Sequence, residues 1–380
     1  MPVEFIGMIA TKDQSETKLS RGPIIDKEFT RRFVRAHEDA GFDRVLIGYA
    51  SSHPDGTQVA AYAASHSERL GFLVAHRPGF VAPTLAARQF TTLDQFSDGR
   101  IAVHIITGGH DAEQRRDGDY LSKDERYART DEYLDVLRLA WTSDQPFSYH
   151  GRYYQVEDHQ SGVRSAQEQG IRLYFGGSSE AAYRVGGKHA DTYALWGEPL
   201  AETKQQIDSV NEAAKNAGRA DTPGISVSFR PILGPTEELA WERAHRILEA
   251  TKENVAAFRA QWGAKSFGLG GQPENAGSQR LLAAAAKGEL HDRALWTPLA
   301  AATGAGGNST ALVGTPETVA QAILDYVDIG ATTILIRGYD PYDDAIDYGR
   351  QLLPLVRDEV ARRDAEVARR DAETAKAASA

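Results

Sequence analysis

Eight short apolar runs, each followed by a segment with helical spacing, predict an α/β fold: a (β/α)8 TIM barrel with insertions after strands 4 and 7. Three observations carry that expectation. The runs are near-continuously apolar, as parallel strands buried on both faces must be. Strand and helix patterns alternate along the chain and do not segregate. No glycine-rich dinucleotide fingerprint follows the first run, which weakens the alternative of a doubly wound sheet.

In chain order, the strands are expected at Val3–Ala10, Asp43–Ala50, Leu70–His76, Arg100–Gly108, Ile171–Gly177, Asp191–Gly197, Ile225–Leu233 and Thr332–Gly338. Helical spacing is clearest over Phe29–Ala40, Ala82–Phe96, Tyr127–Trp141 and Pro316–Ile329. Gly41 and Gly330 stand just beyond two of these, where a left-handed residue ends a helix. Two connections exceed what a minimal barrel needs. Ser143–Gln169 holds "FSYHGRYYQVED", whose alternation about His150-Gly151 predicts a hairpin. Gln261–Leu312 is rich in glycine and alanine, and its "TGAGGNST" at Thr303–Thr310 reads as a mobile lid over the carboxyl ends of the strands. The expected organisation is one barrel domain over residues 1–356, with insertions at about 143–169 and 261–312, and a charged helical tail over 357–380. The tail repeats "VARRDAE" at Val360–Glu366 and Val367–Glu373 and reads as a solvated helix.

Composition excludes several classes of function. A net charge of −10 disfavours nucleic acid and anionic lipid as partners. The absence of cysteine removes disulfides, thiolate metal sites and a cysteine nucleophile. No apolar run approaches the ~20 residues that span a bilayer, and the start "MPVEFIGMIATKDQ" lacks the features of a secretory signal. A cytoplasmic protein is expected. Histidine and carboxylate spacing suggests no metal site.

The residues that could carry chemistry cluster at strand ends. "LYFGGSSEAA" (Leu173–Ala182) passes from strand to helix through Gly176, Gly177, Ser178 and Ser179. Such a turn caps a helix equally well as it cradles a phosphate, so both readings stand at this point. His104 lies mid-strand in "AVHIITGG", with Thr107 near its carboxyl end. His76 opens "HRPG" and is expected at the barrel mouth; Tyr127 follows a charged helix start. Ser228 and Arg230 are two apart on the seventh strand and face the same way. A strand arginine is hard to bury without an anion, which points to an anionic substrate or a peroxide. Trp196 and Glu198 end the sixth strand and Tyr339 follows the eighth, and the aromatic groups among them read as pocket walls.

Taken as an ordered set, "RPGFVAPTLAARQFTTLDQFSDGR", "ITGGHDAEQRRDGDYLSKDERY", "LYFGGSSEAA", "YALWGEP", "STALVGTPETVA" and "RGYDPYDDA" resemble the bacterial luciferase-like flavin monooxygenases, and within them the alkanesulfonate monooxygenases. The resemblance runs from about Glu4 to Val356. It implies a two-component reaction. A separate NAD(P)H-dependent flavin reductase supplies FMNH2, O2 reacts with it, and an organosulfonate yields an aldehyde and sulfite. It also implies a homo-oligomer, dimer or tetramer. By motif match, Gly177, Ser178 and Ser179 would hold the FMN phosphate with Tyr127, and His104 and Thr107 would lie beside the ring system. Trp196, Arg230 and Tyr339 would face the substrate, with Arg230, Tyr339 and His53 as the catalytic candidates. His53 stands where those enzymes often carry a cysteine, and Ser228 and Arg230 where they carry an arginine and then a histidine. The expected lid lacks their arginine. These departures shift the expected substrate toward a polar sulfonate such as sulfoquinovose, read by His53, His76, Ser228 and Arg230. The alternatives are another luciferase-like oxidation, of a sulfone or other small compound, an F420-dependent oxidoreductase, and a non-catalytic flavin-binding protein.

Overall fold

A computed structural model of the protein describes residues 2–19, 22–262, 273–306 and 310–378. The elements run β1 (Glu4–Ile9), α1 (Lys27–Asp39), β2 (Arg44–Ile47), α2 (Gly56–Ala64), β3 (Gly71–His76), α3 (Pro83–Phe96), β4 (Ile101–Ile105), α4 (Asp111–Arg116) and α5 (Lys123–Thr142). There follow β5 (Phe147–His150), β6 (Gln155–His159), β7 (Arg172–Gly176), α6 (Glu180–His189), β8 (Thr192–Trp196), α7 (Leu200–Asn216), β9 (Gly224–Leu233) and α8 (Glu237–Trp262). The last part holds α9 (Ala276–Lys287), β10 (Leu290–His291), β11 (Leu295–Trp296), α10 (Pro298–Thr303), β12 (Ala311–Gly314), α11 (Pro316–Asp328), β13 (Thr333–Ile336), α12 (Pro341–Asp347) and α13 (Leu353–Ala378).

Strands β1, β2, β3, β4, β7, β8, β9 and β13 pair in parallel in that order, and β13 closes onto β1. The chain is therefore a closed (β/α)8 TIM barrel, with each of the eight expected strands in place. Alternation along the strands sorts side chains to two faces. Ile6, Leu73, Ala102 and Tyr174, with Leu46 and Leu335, form a separate interior cluster. Their neighbours Phe5, Val45, Phe72, Val74, Val103, Phe175 and Ile334 pack outward against the helices. At the amino end of the barrel Glu4 accepts from Arg44 Nε at 2.7 Å and from the Tyr174 hydroxyl at 2.8 Å, which plugs that end with satisfied polar groups.

The first insertion contains the expected hairpin, β5 against β6. Glu132 on α5 accepts from the backbone N–H groups of Arg152, Tyr153 and Tyr154, and Asp94 on α3 accepts from Ser165, Ala166 and Gln167. The second insertion brings α9, α10 and the short strands β10 and β11 beside β12. Strand β12 then runs parallel to the far half of β9, Ala311 opposite Arg230 and Gly314 opposite Leu233. Strand β9 thus changes partner along its length, from β13 over Ser226–Phe229 to β12 from Arg230 onward. Of the expected lid, residues 307–309 lie outside the described residues. Its flanks are fastened: Ser278 Oγ donates to Ala305 O at 2.6 Å, and Thr310 Oγ1 to Gly197 O at 2.6 Å.

Three histidines sit inside this frame. His37 on α1 shares its Nδ1 with Phe33 O at 2.9 Å, and His76 and His104 occupy β3 and β4. Burial pulls each pKa down from 6.5 to about 4, although the Phe33 contact opposes it at His37. A histidine with a folded pKa below its unfolded one leaves unbound a proton that the unfolded chain takes up. Its contribution is complete above about pH 6.5 and is lost as pH falls toward 4. The urea midpoint of the flavin-free protein is expected to fall steadily between pH 6.5 and 4.5; a flat midpoint would contradict the burial of these rings.

Candidate active site

The carboxyl ends of the strands form one mouth, and its first region is the β7–α6 turn. Ser179 is the N-cap of α6, with its Oγ accepting from Ala182 N–H at 3.3 Å. Gly177 has φ +146°, and a Cβ there would lie 2.6 Å from Ala182 Cβ and 3.1 Å from the Tyr127 hydroxyl. Its carbonyl accepts from the Tyr193 hydroxyl at 2.8 Å. Tyr127 projects from α5 into this turn, buried and hydrogen-bonded to Ser179; burial raises its pKa, against the Ser179 bond and nearby Arg126. Tyr183 bonds Ser178 from the other side. Hydroxyls and helix-terminal amides thus converge at the positive end of a helix dipole, a ready site for a phosphate.

A second region, along the ends of β3 and β4, holds buried polar atoms with no hydrogen-bond partner among the described residues. They are His104 Nδ1, Thr107 Oγ1, both side-chain polar atoms of Gln114, and Arg77 Nε and Nη1. His104 shares the inward face of β4 with Ala102, and its ring lies beside Gly176, where a Cβ would come within 3.2 Å of Cε1. Gln114 fills the space that a side chain at Gly108 would need. Buried polar atoms are ordinarily paired, so these ask for a ligand that is flat and polar at its edge. A flavin with its phosphate in the β7–α6 turn fits that donor set.

A third region is the arginine corner, where β9 leaves β13 for β12. Arg230 is 3% exposed. Its Nη1 and Nη2 donate to Glu16 Oε1 and Oε2 at 3.0 and 2.8 Å, while Nε and Nη2 donate to the carbonyls of Arg337 and Gly338 at 2.8 and 3.0 Å. The Tyr339 ring covers the guanidinium at 3.9 Å. Arg337 Nη1 stands 3.7 Å from Glu16 Oε1. Burial opposes ionisation of Glu16, but Arg230 and Arg337 together hold its carboxyl far below the usual range. Burial likewise raises the Tyr339 hydroxyl, against the pull of Arg230.

The family profile described as luciferase-like monooxygenase matches residues 3–333. The chain belongs to the luciferase-like monooxygenase family. Among solved structures it is similar to the riboflavin lyase RcaE, solved with modified FMN and riboflavin (22% identity over 94% of this chain and 92% of that one, TM-score 0.79). It is also similar to DmoA from Hyphomicrobium sulfonivorans (20% identity, 94% and 89% covered, TM-score 0.75) and to the EDTA monooxygenase EmoA from Chelativorans sp. BNC1 (17% identity, 94% of each chain, TM-score 0.74). At these identities the likeness is one of fold.

In this luciferase-like barrel the expected site residues separate into groups. Tyr127, Gly177, Ser178 and Ser179 meet in the β7–α6 turn, and His104 and Thr107 lie in the unpartnered polar region. Trp196 ends β8 on the inward face and lies against Gly277 of α9, so the second insertion covers it. Ser228 faces inward, with its hydroxyl donating to Leu195 O at 3.3 Å. His53 lies exposed in a turn at the rim. Partial desolvation, Lys12 and Arg337 lower its pKa, against Glu113. His76 corrects an expectation. Its parity on β3 is that of Phe72 and Val74, so it points to the helix layer, where Nε2 meets the Tyr133 hydroxyl at 2.6 Å and the ring packs edge-on to Phe90. It does not line the mouth.

Three residues of the candidate site carry no signal read from the sequence, Glu16, Arg337 and Gln114, and Arg77 joins them from "HRPG". Glu113 joins two of the loops, accepting from Arg77 Nη2 and from Ser51 N–H, each at 3.1 Å. Glu198 is buried and held by Arg280 of α9, whose Nη2 lies 2.6 Å from Oε2, so it fastens the insertion and does not face a ligand. Among the described residues one trio has metal-ligand proximity, Asp131, Asp135 and His189. It lies on α5 and α6, and Lys188 already donates to both carboxylates at 2.8 and 3.1 Å, which makes it a salt-bridge network. Among the described residues no helix is long and apolar enough to cross a membrane.

Proposed function

We propose that the protein is a two-component monooxygenase that uses FMNH2 from a separate NAD(P)H-dependent reductase to desulfonate a small, polar organosulfonate. The carbon–sulfur bond breaks, sulfur leaves as sulfite and its carbon becomes an aldehyde. One atom of O2 enters the aldehyde, the other ends in water, and FMNH2 is oxidised to FMN. The observation that carries the reading is the arginine corner: two arginines against one carboxylate, at the mouth of a barrel whose unpartnered polar atoms fit a flavin.

Gly177, Ser178, Ser179 and Tyr127 would hold the FMN phosphate, and His104, Thr107 and Gln114 the polar edge of its rings. Bound there as FMNH2, the cofactor supplies the two electrons that reduce O2. The protein's part is positional. Burial keeps His104 neutral at working pH, so it offers one donor and one acceptor and no charge. Trp196 under α9 keeps water from that side of the mouth. Arg230 and Tyr339 fix the corner, and His53 at the rim is the titratable group available to exchange protons with solvent.

Sulfite release across a panel of sulfonates, with FMN, NADH and a generic flavin reductase, tests this. Sulfite from sulfoquinovose or another polar sulfonate, dependent on O2, is the expected result. Release from octanesulfonate with none from sulfoquinovose sinks the polar-substrate reading. F420 binding with no FMNH2-dependent turnover overturns the monooxygenase reading itself.

A further inference from the structure

We infer that Arg337, and not Arg230, is the side chain that receives the anionic group of the substrate, in a subsite built for a compact oxyanion such as a sulfonate or carboxylate. The inference rests on the reading of the mouth as a substrate pocket, and its test is independent of desulfonation.

Arg230 is committed. Its guanidinium donates to Glu16 through both terminal nitrogens and to two strand-end carbonyls, and the Tyr339 ring closes over it. A ligand could reach it only by breaking a bidentate pair whose cation is 3% exposed. Arg337 is different. It lies two residues beyond Leu335, one past the end of β13 and in line with that strand's inward face. A quarter of its side chain (25%) remains exposed, and among the described residues its side chain makes no hydrogen bond. Among the described residues its one ion pair is with Glu16 at 3.7 Å, longer than a charge-assisted hydrogen bond.

Among the described residues the surroundings lack the charge to satisfy it. One carboxylate serves two arginines, and Lys12 adds a third cation close enough to act on His53. Glu113 acts on His53 with the opposite sign, but it already accepts from Arg77 at 3.1 Å. Burial and the neighbouring Arg230 both lower the pKa of Arg337, against Glu16; a bound anion would relieve that. A neutral substrate would leave the guanidinium desolvated without compensation, whereas a planar fork of N–H donors matches two oxygens of a sulfonate or carboxylate.

The test compares methanesulfonate with dimethyl sulfone, its neutral isostere, by calorimetric titration of the full chain loaded with FMN. The wild type is expected to bind methanesulfonate at least about tenfold more tightly. Arg337→Gln is expected to remove that preference, and Arg337→Lys to keep part of it, with FMN affinity within about twofold of wild type in both. Equal binding of the two probes by the wild type, or undiminished methanesulfonate binding by Arg337→Gln, would overturn the inference. Should Arg337→Gln fail to fold, the wild-type preference and the Arg337→Lys titration still decide. An intact, Arg337-dependent preference with no sulfite release from any sulfonate leaves the subsite standing and removes desulfonation.

Discussion

Glu16→Ala is expected to destabilise the protein by about 3 kcal/mol, the low end for removing one partner of a buried ion pair, because Glu16 itself keeps some contact with water. The cost comes from what is left behind. Arg230, buried in the wild type, would lose its Glu16 carboxylate while Arg337 stays nearby as a like charge. A charge desolvated without its counter-ion is the expensive case, whereas removing both members of a pair is often tolerated. The double variant Glu16→Ala/Arg230→Met should therefore be more stable than Glu16→Ala alone. The pH dependence gives a second check. The folded pKa of Glu16 lies far below its ordinary 4.5, so its contribution is present above about pH 4.5 and is lost as the medium becomes more acid. The stability gap between wild type and Glu16→Ala is expected to be constant from pH 7 to 5 and to shrink below that. The buried histidines are common to both proteins and cancel in the difference. Urea denaturation of the three proteins at pH 7 and pH 4 measures this; a double variant less stable than the single one would show that Glu16 does not serve chiefly to neutralise Arg230.

The barrel was legible because each of its strands is buried on both faces, which leaves near-continuous apolar runs, and because Gly41 and Gly330 mark helix ends by their positive φ. The same property hid the orientation of His76. When both faces of a strand are apolar, the pattern does not say which parity points inward, and only the packing of Phe72 and Val74 against the helices decides it. Arg230 reads in the sequence as facing an anionic substrate, but the anion it meets is Glu16, 214 residues away in the irregular β1–α1 connection, where no periodicity marks it. Arg337 was within reach. It stands just past β13 in "TTILIRG", two residues after Leu335, so the cost of burying a cation without an anion marks it as it marks Arg230. The pairing of β12 with β9 had one faint signal. "ISVSFRPIL" is, with "RIAVHIITG", the longest of the runs, as suits a strand with successive partners, but four residues, "ALVG", do not reveal where they dock.

Gly177→Ala is expected to weaken FMNH2 binding by roughly 10- to 100-fold, the equivalent of the 1–3 kcal/mol that a strained backbone position costs. Two independent effects act at this position. At φ +146° an L side chain is strained in any surroundings, and the added Cβ would also lie 2.6 Å from Ala182 Cβ. Ala182 cannot yield, since it is buried in the first turn of α6 with its N–H bound to the Ser179 cap. The loop cannot swing freely the other way, because the Tyr193 hydroxyl holds the Gly177 carbonyl at 2.8 Å. The turn must therefore deform, and the Ser178 and Ser179 hydroxyls and their contacts with Tyr183 and Tyr127 deform with it. Gly118→Ala separates the two effects. Gly118 also has positive φ, +86°, but a Cβ there meets nothing within 4 Å, so strain is introduced away from the mouth and flavin affinity should be unchanged. Anaerobic titration with FMNH2 and with reduced riboflavin, which lacks the phosphate, then distinguishes the roles of the turn. If it cradles the phosphate, the wild type prefers FMNH2 and Gly177→Ala erases most of that preference. If it only caps α6, both ligands weaken together, and the phosphate must be held elsewhere.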